Sequence, residues 1–502
     1  MSLMKLKSGT DIRGTAMGEA TDLTDEAIRR ITAGFVKVAS GKTGLSPDKM
    51  TVAVGHDSRL SAERIKKNVV AVLSYYGIRV LDCALASTPS MFMATIHAGC
   101  DASVQITASH HPWDKNGLKF FTKDGGFESS DITEILTQAE KADISSIPEE
   151  GRSEKSDFMA EYAAILRRMI CEGVNAENFE KPLAGFRIVT DAGNGVGGFY
   201  AYDVLRELGA DITGSRYLEP DGSFPNHAPN PENKDAMRSI SEAVITSGAP
   251  FGVIFDTDVD RAACVDENGE EINRNSLVAL ASAIALEGNK GGTIVTDSVT
   301  SDGLKVFIEK TLGGKHHRFR RGYKNVINEA IRLNNEGVNC PLAIETSGHA
   351  ALRENYFLDD GAYLITKIII LLARLRREGR KIGDIISELS HPAEETELRF
   401  KILCEDFRAY GTRVIEELEA YASAKDGWSV ADDNREGVRI SLDEKNGNGW
   451  MLLRLSVHDP ILPFNAESAE AGGVEKIVNA FYEFIKNYDM LDLSAFGKEG
   501  SK

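Results

Sequence analysis

The sequence predicts an α/β protein: three mixed α/β modules followed by a smaller C-terminal α+β segment. Three observations carry that expectation. At 502 residues the chain exceeds what a single hydrophobic core serves, so several domains are expected. Short β-branched runs alternate with segments of helical spacing, the signature of strand–helix–strand units. The tetrapeptide Ile-Val-Thr-Asp occurs at 188–191 and again at 294–297, 106 residues apart, each time before a Gly-containing loop and a helical pattern. That spacing is the size of a domain and suggests repeated modules.

Taken in order, Thr24 with Asp25 and Glu26 predicts a capped helix start, because carboxylates in a first turn suit the helix dipole. Ile28, Ile31, Phe35 and Val38 follow at helical spacing, with Gly41 as the expected stop. Residues 51–54 read as a buried strand. Ile65, Val69 and Leu73 mark the inner face of a helix, and residues 78–81 form the next strand. Polar stretches at 145–157 and 391–397 read as linkers. The resulting segments are 1–155, 156–275, 276–393 and 394–502.

The formal charge of −18 argues against nucleic acid or an anionic membrane as the main partner, since both need a basic footprint. The six scattered cysteines contain no CxxC pair and suit free thiols in a reducing compartment. With no basic-then-apolar opening and no apolar run long enough to span a bilayer, a cytoplasmic protein is the expectation.

Chemistry concentrates in three stretches. "ITASHHPWDKNGLKFF" (106–121) places Ser109 on a loop between two strand-like runs, with Pro112 and Asn116-Gly117 supplying the turn. Serine is a poor nucleophile unless its surroundings activate it, and His110 and Lys119 are the candidates. Taken alone, the loop reads as an ordinary polar turn, with Ser109 a turn serine and His110 a surface residue. "FGVIFDTDVDRAACVDE" (251–267) is a buried strand running into Asp256, Asp258 and Asp260. Carboxylates two apart on a turning backbone converge on one hard cation, and three suit Mg²⁺. Arg261 follows, a guanidinium able to meet phosphate bidentately. In "AIETSGHAALRENYFLDDGAY" (343–363), Glu345, Ser347 and His349 alternate, which on an extended segment puts them on one face as partners for sugar hydroxyls. Lys324 adds a cation beside the Gly322 turn.

Two other chemistries fit the aspartate motif less well. A calcium EF-hand would use Asp256, Asp258, Asp260 and Glu267 but needs glycine where Arg261 stands. A phosphatase of the haloacid-dehalogenase type would use Asp-x-Asp after a strand, with the carboxylates of "FLDDGAY" downstream, but gives the Ser109 loop no purpose.

Together these stretches resemble the α-D-phosphohexomutase family, which contains phosphoglucomutase, phosphomannomutase and phosphoglucosamine mutase. "TASHHPWDKNGLKF" is similar to the family's phosphoserine loop, "DTDVDR" to its metal loop and "ETSGH" to its sugar-recognition loop. "DGSFPNHAPNP" (221–231) resembles a signature of the second domain, and "SGTDIRG" (8–14) the segment whose arginine, here Arg13, reaches the active-site phosphate. The likeness covers essentially the whole chain, with the motifs in family order. It implies three similar α/β domains and a smaller fourth around a central cleft. The first would carry the phosphoserine loop, the second the metal loop, the third the sugar-recognition loop and the fourth a phosphate site.

The resemblance also implies the reaction. Ser109 carries a phosphoryl group and donates it to a glucose or mannose monophosphate. The resulting hexose 1,6-bisphosphate, intermediate and activator, turns over and returns its other phosphate. Mg²⁺ is held by Asp256, Asp258, Asp260 and a phosphoserine oxygen at Ser109. His110 and Lys119 are candidates for proton transfer and phosphate contact, and Arg13 and Arg261 for phosphate contact. Small-molecule sugar phosphates are the expected partners, and the protein is expected to be a monomer or homodimer. In the fourth segment, "RLSVHDPILPFNAE" (454–467) keeps Arg454, Ser456 and Pro460 of a common family pattern. His458, Asp459 and Pro463 stand where Thr, Glu and Arg are usual, and Arg439 is a candidate replacement cation. Thr346 stands where relatives commonly have Met (glucose and mannose enzymes) or Gln (glucosamine enzymes). Phosphoglucosamine mutase is therefore the second reading, and a non-catalytic sugar-phosphate-binding relative a third.

Overall fold

The computed structural model describes residues 2–456 and 459–497. The chain divides into two compact units, residues 1–284 with 347–385, and residues 285–346 with 386–502.

The first unit opens on a twisted sheet whose strand order is Lys7–Ser8, Asp11–Thr15, Lys115–Thr122, Ala102–Ile106, Thr51–His56, Arg79–Leu85, Glu154–Lys155. Thr51–His56 pairs in parallel with both neighbours, whereas Ala102–Ile106 turns back antiparallel onto Lys115–Thr122, with Ile106 opposite Leu118 and Val104 opposite Phe120. The Ser109 loop is the turn of that pair. The helix predicted after Thr24 runs Asp25–Thr43, with the Thr24 side chain accepting from the Ala27 amide. It passes Gly41 and ends at Gly44, whose φ of 70° is the left-handed cap that stops a helix. Ile28, Ile31 and Phe35 are buried, and Phe35 stacks on Phe120 at 4.7 Å. Ile65, Val69 and Leu73 are buried along Ala62–Tyr75, as their spacing required.

The same unit holds a second sheet, ordered Glu271–Ile272, Ala262–Asp266, Phe251–Phe255, Val189–Asp191. Phe251–Phe255 is buried throughout and pairs antiparallel with Ala262–Asp266, so residues 256–261 form its hairpin turn. The antiparallel pair Ala350–Leu352 and Leu358–Asp359 leads into the helix Gly361–Arg377. That helix is tied inside the unit by the Tyr162 hydroxyl, which donates to Asp360, and by a Tyr200–Thr366 hydrogen bond.

In the second unit, Thr293–Thr296 lies parallel to both Lys315–Arg318 and Leu342–Ile344. Three of the four residues in each copy of the repeated tetrapeptide lie in a strand, Val189–Asp191 and Thr293–Thr296, and a π-helical stretch lies downstream of each, Tyr200–Arg206 and Phe307–Thr311. The C-terminal segment is a sheet ordered Trp428–Val430, Val438–Leu442, Gly449–Leu453, Ile461–Ser468, Glu394–Ile402, Leu491–Asp492. Leu398, Phe400 and Ile402 alternate inward and share one core with the helices Phe407–Ser423 and Gly473–Ile485.

Both expected linkers are shorter than their polarity suggested. Glu154–Lys155 adds to the first sheet, and Glu394–Ile402 is a long strand, because backbone pairing does not require apolar side chains on an open face.

Candidate active site

Ser109 sits at φ 49°, in the left-handed region that costs a non-glycine residue about 1–3 kcal/mol. Its amide donates to the Thr107 hydroxyl at 2.9 Å, and that hydroxyl donates to Asp57 at 2.7 Å. The serine is buried. Its Oγ donates to Asp256 Oδ2 at 3.0 Å, lies 3.2 Å from an Arg261 terminal nitrogen, and is 3.4 Å from His110 Nδ1. His110 is held down at about 2, first by burial and then by the Arg261 charge, so its imidazole is neutral.

The facing hairpin turn carries Asp256, Asp258 and Asp260, whose oxygens lie within 4.8 Å of one another. Val259 between them has φ 65°, an unusual strain for a β-branched residue, and this backbone kink lets the carboxylates converge. Thr88 donates its hydroxyl to Asp258. Lys119 reaches Asp258 at 3.2 Å and Asp260 at 2.5 Å. Arg261 donates from Nε to Asp256 at 3.3 Å, and another of its nitrogens faces Asn230 at 3.4 Å and Glu232 at 3.5 Å.

Burial of such a charge set is tolerated only when it is paired. Asp256 is pushed well above the carboxylate range by burial and by Asp260 and Asp258, whereas Lys119, His349 and Arg261 overcome burial at Asp260 and hold it low. Asp258 Oδ1 and Asp260 Oδ1 are buried without a hydrogen-bond partner. Converging all-oxygen donors with orphaned lone pairs fit a hard divalent cation.

The sugar-loop residues divide between the units. The backbone of 345–349 is not extended: Leu342–Ile344 ends before Glu345, and 346–348 turn with Gly348 at φ 93°. Alternation therefore does not set the directions of Glu345, Ser347 and His349. The turn forms because a Cβ at Gly348 would stand 2.7 Å from the Ala262 carbonyl oxygen, an approach only glycine permits. In the first unit, His349 bridges by backbone to Arg261 and pairs through its ring with Asp359. Burial opposes its charge, but Asp359 and Asp260 outweigh burial and lift it to about 9. Ser347 is buried beside this histidine in the chain. Arg13, on the strand Asp11–Thr15, pairs with Asp11 at 2.7 Å.

In the second unit, Glu345 accepts from the Gly322 amide at 2.5 Å, and Lys324 lies in the first turn of the helix Tyr323–Asn335. Arg454 follows the strand Gly449–Leu453. Burial lowers it, while Glu436 and Glu397 pull it up and Arg321 opposes them. Ser456 accepts from the Asp459 amide at 3.2 Å. Arg439 is fully buried, stacks 3.6 Å from the Trp450 ring centre, and donates to Ser298 O and Asp302. Of the divergent positions, His458 lies outside the described residues, and Pro463 is part of the strand Ile461–Ser468.

Sequence reasoning did not single out Thr88, Asn230, Glu232, Arg321 or the pairing of Asp359 with His349. Asp359 carries a signal in retrospect, because a short antiparallel pair brings its strand back beside the histidine's.

Comparison with known proteins places most of the chain in one family. Family models described as phosphoglucomutase/phosphomannomutase alpha/beta/alpha domains I, II and III match residues 4–145, 166–269 and 273–392. A phosphoglucomutase/phosphomannomutase of Thermococcus kodakarensis is 32% identical over 84% of this chain and 86% of its own. A phosphoglucomutase of Neisseria gonorrhoeae is 28% identical over 95% of this chain and 96% of its own. Among solved structures, a phosphoglucomutase/phosphomannomutase family protein from Burkholderia thailandensis superimposes with a TM-score of 0.78 at 24% identity, covering 97% of this chain and 98% of that one.

Proposed function

Because the chain belongs to the phosphoglucomutase/phosphomannomutase family, we propose that it interconverts hexose 1-phosphates and hexose 6-phosphates through a phosphorylated Ser109. The observation that carries this reading is the Ser109 hydroxyl held between Asp256 and Arg261 beside three buried carboxylates.

Ser109 begins as its phosphate ester. A sugar hydroxyl attacks phosphorus, the bond from phosphorus to Ser109 Oγ breaks, and the hydroxyl proton leaves to a neighbouring base. The reverse step then takes the other phosphate of the hexose 1,6-bisphosphate back onto Oγ. Mg²⁺ held by Asp256, Asp258, Asp260 and a phosphoserine oxygen would neutralise charge on the transferring group. Arg261 is assigned to steadying the ester oxygen and Lys119 to balancing the carboxylates, while His110, whose ring nitrogen lies 3.4 Å from Oγ and whose depressed basicity makes it a poor proton acceptor, is assigned to phosphate contact as a neutral hydrogen-bonding group. Arg13 is assigned to phosphate contact. Glu345, Ser347, His349 and Lys324 are assigned to the sugar, and Arg454 and Ser456, with Arg321 nearby in charge, to a phosphate. Arg439 already serves protein partners, which favours bracing over substrate contact.

Glucose and mannose phosphates are the preferred substrates in this reading, with glucosamine phosphate second. Thr346 supports no amino-sugar preference, because its hydroxyl donates to Asp297 at 2.8 Å. A coupled mutase assay with glucose, mannose and glucosamine 1-phosphates tests the assignment. Turnover of glucose or mannose 1-phosphate at least tenfold above glucosamine 1-phosphate is expected, and the opposite order, or no turnover, refutes it.

A further inference from the structure

The loop that carries Ser109 is held by a residue assigned no role so far. Arg59 is buried, and it lies between the strand Thr51–His56 and the helix Ala62–Tyr75. All five of its side-chain N–H donors are used. Nε donates to Asp57 at 3.1 Å. One terminal nitrogen donates to the carbonyls of Pro112 at 2.6 Å and Lys115 at 2.9 Å, and the other to those of Ser109 at 2.5 Å and His111 at 2.6 Å. A planar guanidinium can hold four carbonyls of one loop at once; an ammonium, with three donors, cannot. Asp57 also takes the hydroxyl hydrogen of Thr107, which holds the Ser109 amide. The Asp57–Arg59 pair therefore grips the serine from both sides of its backbone.

The face of that guanidinium is covered from the 221–231 motif, whose purpose the reaction leaves unexplained. Phe224 lies 5.2 Å from Arg59 with φ 48°, a conformation a bulky residue adopts only when something holds it there. The close approach depends on Gly222, where a Cβ would meet the Leu60 amide at 2.5 Å and the Arg59 Cα at 2.7 Å. Further along, His227 pairs with Asp191 at 3.0 Å, and Asn230 and Glu232 face Arg261. One segment thus touches the arginine that holds the serine loop and the arginine beside the serine hydroxyl.

Resting on the phosphoserine reading, we infer that Arg59, capped by Phe224, is a positioning residue that fixes Ser109 for phosphoryl transfer, with segment 221–232 aligning its loop to Arg261. Arg59 acts here without touching substrate. Its expected signature is a loss in kcat with KM little changed, because misplacing a reacting atom by about 1 Å can cost about 100-fold in rate.

Phe224→Gly and Arg59→Lys test this in the full-length enzyme. Phe224→Gly removes the ring while relieving the left-handed strain, so the variant should melt within a few degrees of wild type. Its kcat should fall about 10-fold or more with KM within about 3-fold, and that of Arg59→Lys about 100-fold. Hydrogen–deuterium exchange of the peptide spanning residues 107–117 should quicken in both. Unchanged exchange, or faster exchange with wild-type kcat, overturns the inference. A loss of activity explained wholly by a smaller folded fraction at unchanged kcat also overturns it, and Phe224→Gly supplies that comparison if Arg59→Lys does not fold. A wild type inactive on every hexose phosphate, with the loop still loosened in the variants, refutes the mutase reading and leaves the clamp standing.

Discussion

Asp256 shows how much one side chain is asked to do. It accepts from the Ser109 hydroxyl, from the Arg261 backbone amide and from the Arg261 side chain. Asp258 and Asp260 share Lys119 in the same way. Groups that act as one unit are lost as one unit. Asp256→Asn, Asp258→Asn and Asp260→Asn should therefore each lower kcat/KM by roughly 100-fold or more, and pairs should cost little beyond singles. Steady-state kinetics on the single and double variants check this, and independent, additive losses would argue for separate roles. These aspartates were legible from sequence because three carboxylates at alternate positions after a buried strand repel one another unless a cation joins them. Arg59 was not, since nothing in "GHDSR" says that four of its donors meet carbonyls fifty or more residues away.

At the scale of elements, packing decided what local pattern could not. Helical spacing found the helix Asp25–Thr43, but glycine alone does not mark its end: Gly44 takes the left-handed conformation and Gly41 does not. Polarity hid the strand Glu394–Ile402, and simple alternation was misleading at 345–349, where a turn intervenes. That turn gives a stability test. Gly348→Ala must adopt φ 93° and crowd the Ala262 carbonyl, so it should cost roughly 1–3 kcal/mol and displace His349. Thermal denaturation would show it, and a melting temperature equal to wild type would contradict the geometry. A second test concerns Asp360, which caps the helix Gly361–Arg377. Burial raises its pKa from 3.8 to about 6, against the hydrogen bonds from Tyr162, Tyr363 and Asn355. The folded state then holds the proton more tightly than the unfolded state. Its contribution, roughly 3 kcal/mol at most, is fully present below pH 3.8 and is lost as pH rises through about 6. The stability difference between wild type and Asp360→Asn, measured by denaturant unfolding from pH 4 to 7, should shift against the wild type as pH rises. A constant difference would show that Asp360 is ionised throughout.

At the scale of the whole molecule, the serine loop and the carboxylate turn were readable because each brings a distinct chemistry in chain order, and the fold sets the Ser109 hydroxyl against Asp256. What single stretches could not convey was burial. It turns Asp256 into a proton-holding or cation-bound group, and the carboxylates buried beside His349 lift that ring to about 9. Because the carboxylates are arranged for a cation, chelator treatment should abolish turnover and Mg²⁺ should restore it, as followed in the coupled assay. Undiminished activity after chelation would remove the metal from the account. Most direct is the mass of the intact protein. After incubation with glucose 1,6-bisphosphate, wild type should gain a species about 80 Da heavier, mapping to Ser109, and Ser109→Ala should gain none and turn over no hexose phosphate. Phosphate on another residue, or full mutase activity in Ser109→Ala, would contradict the account.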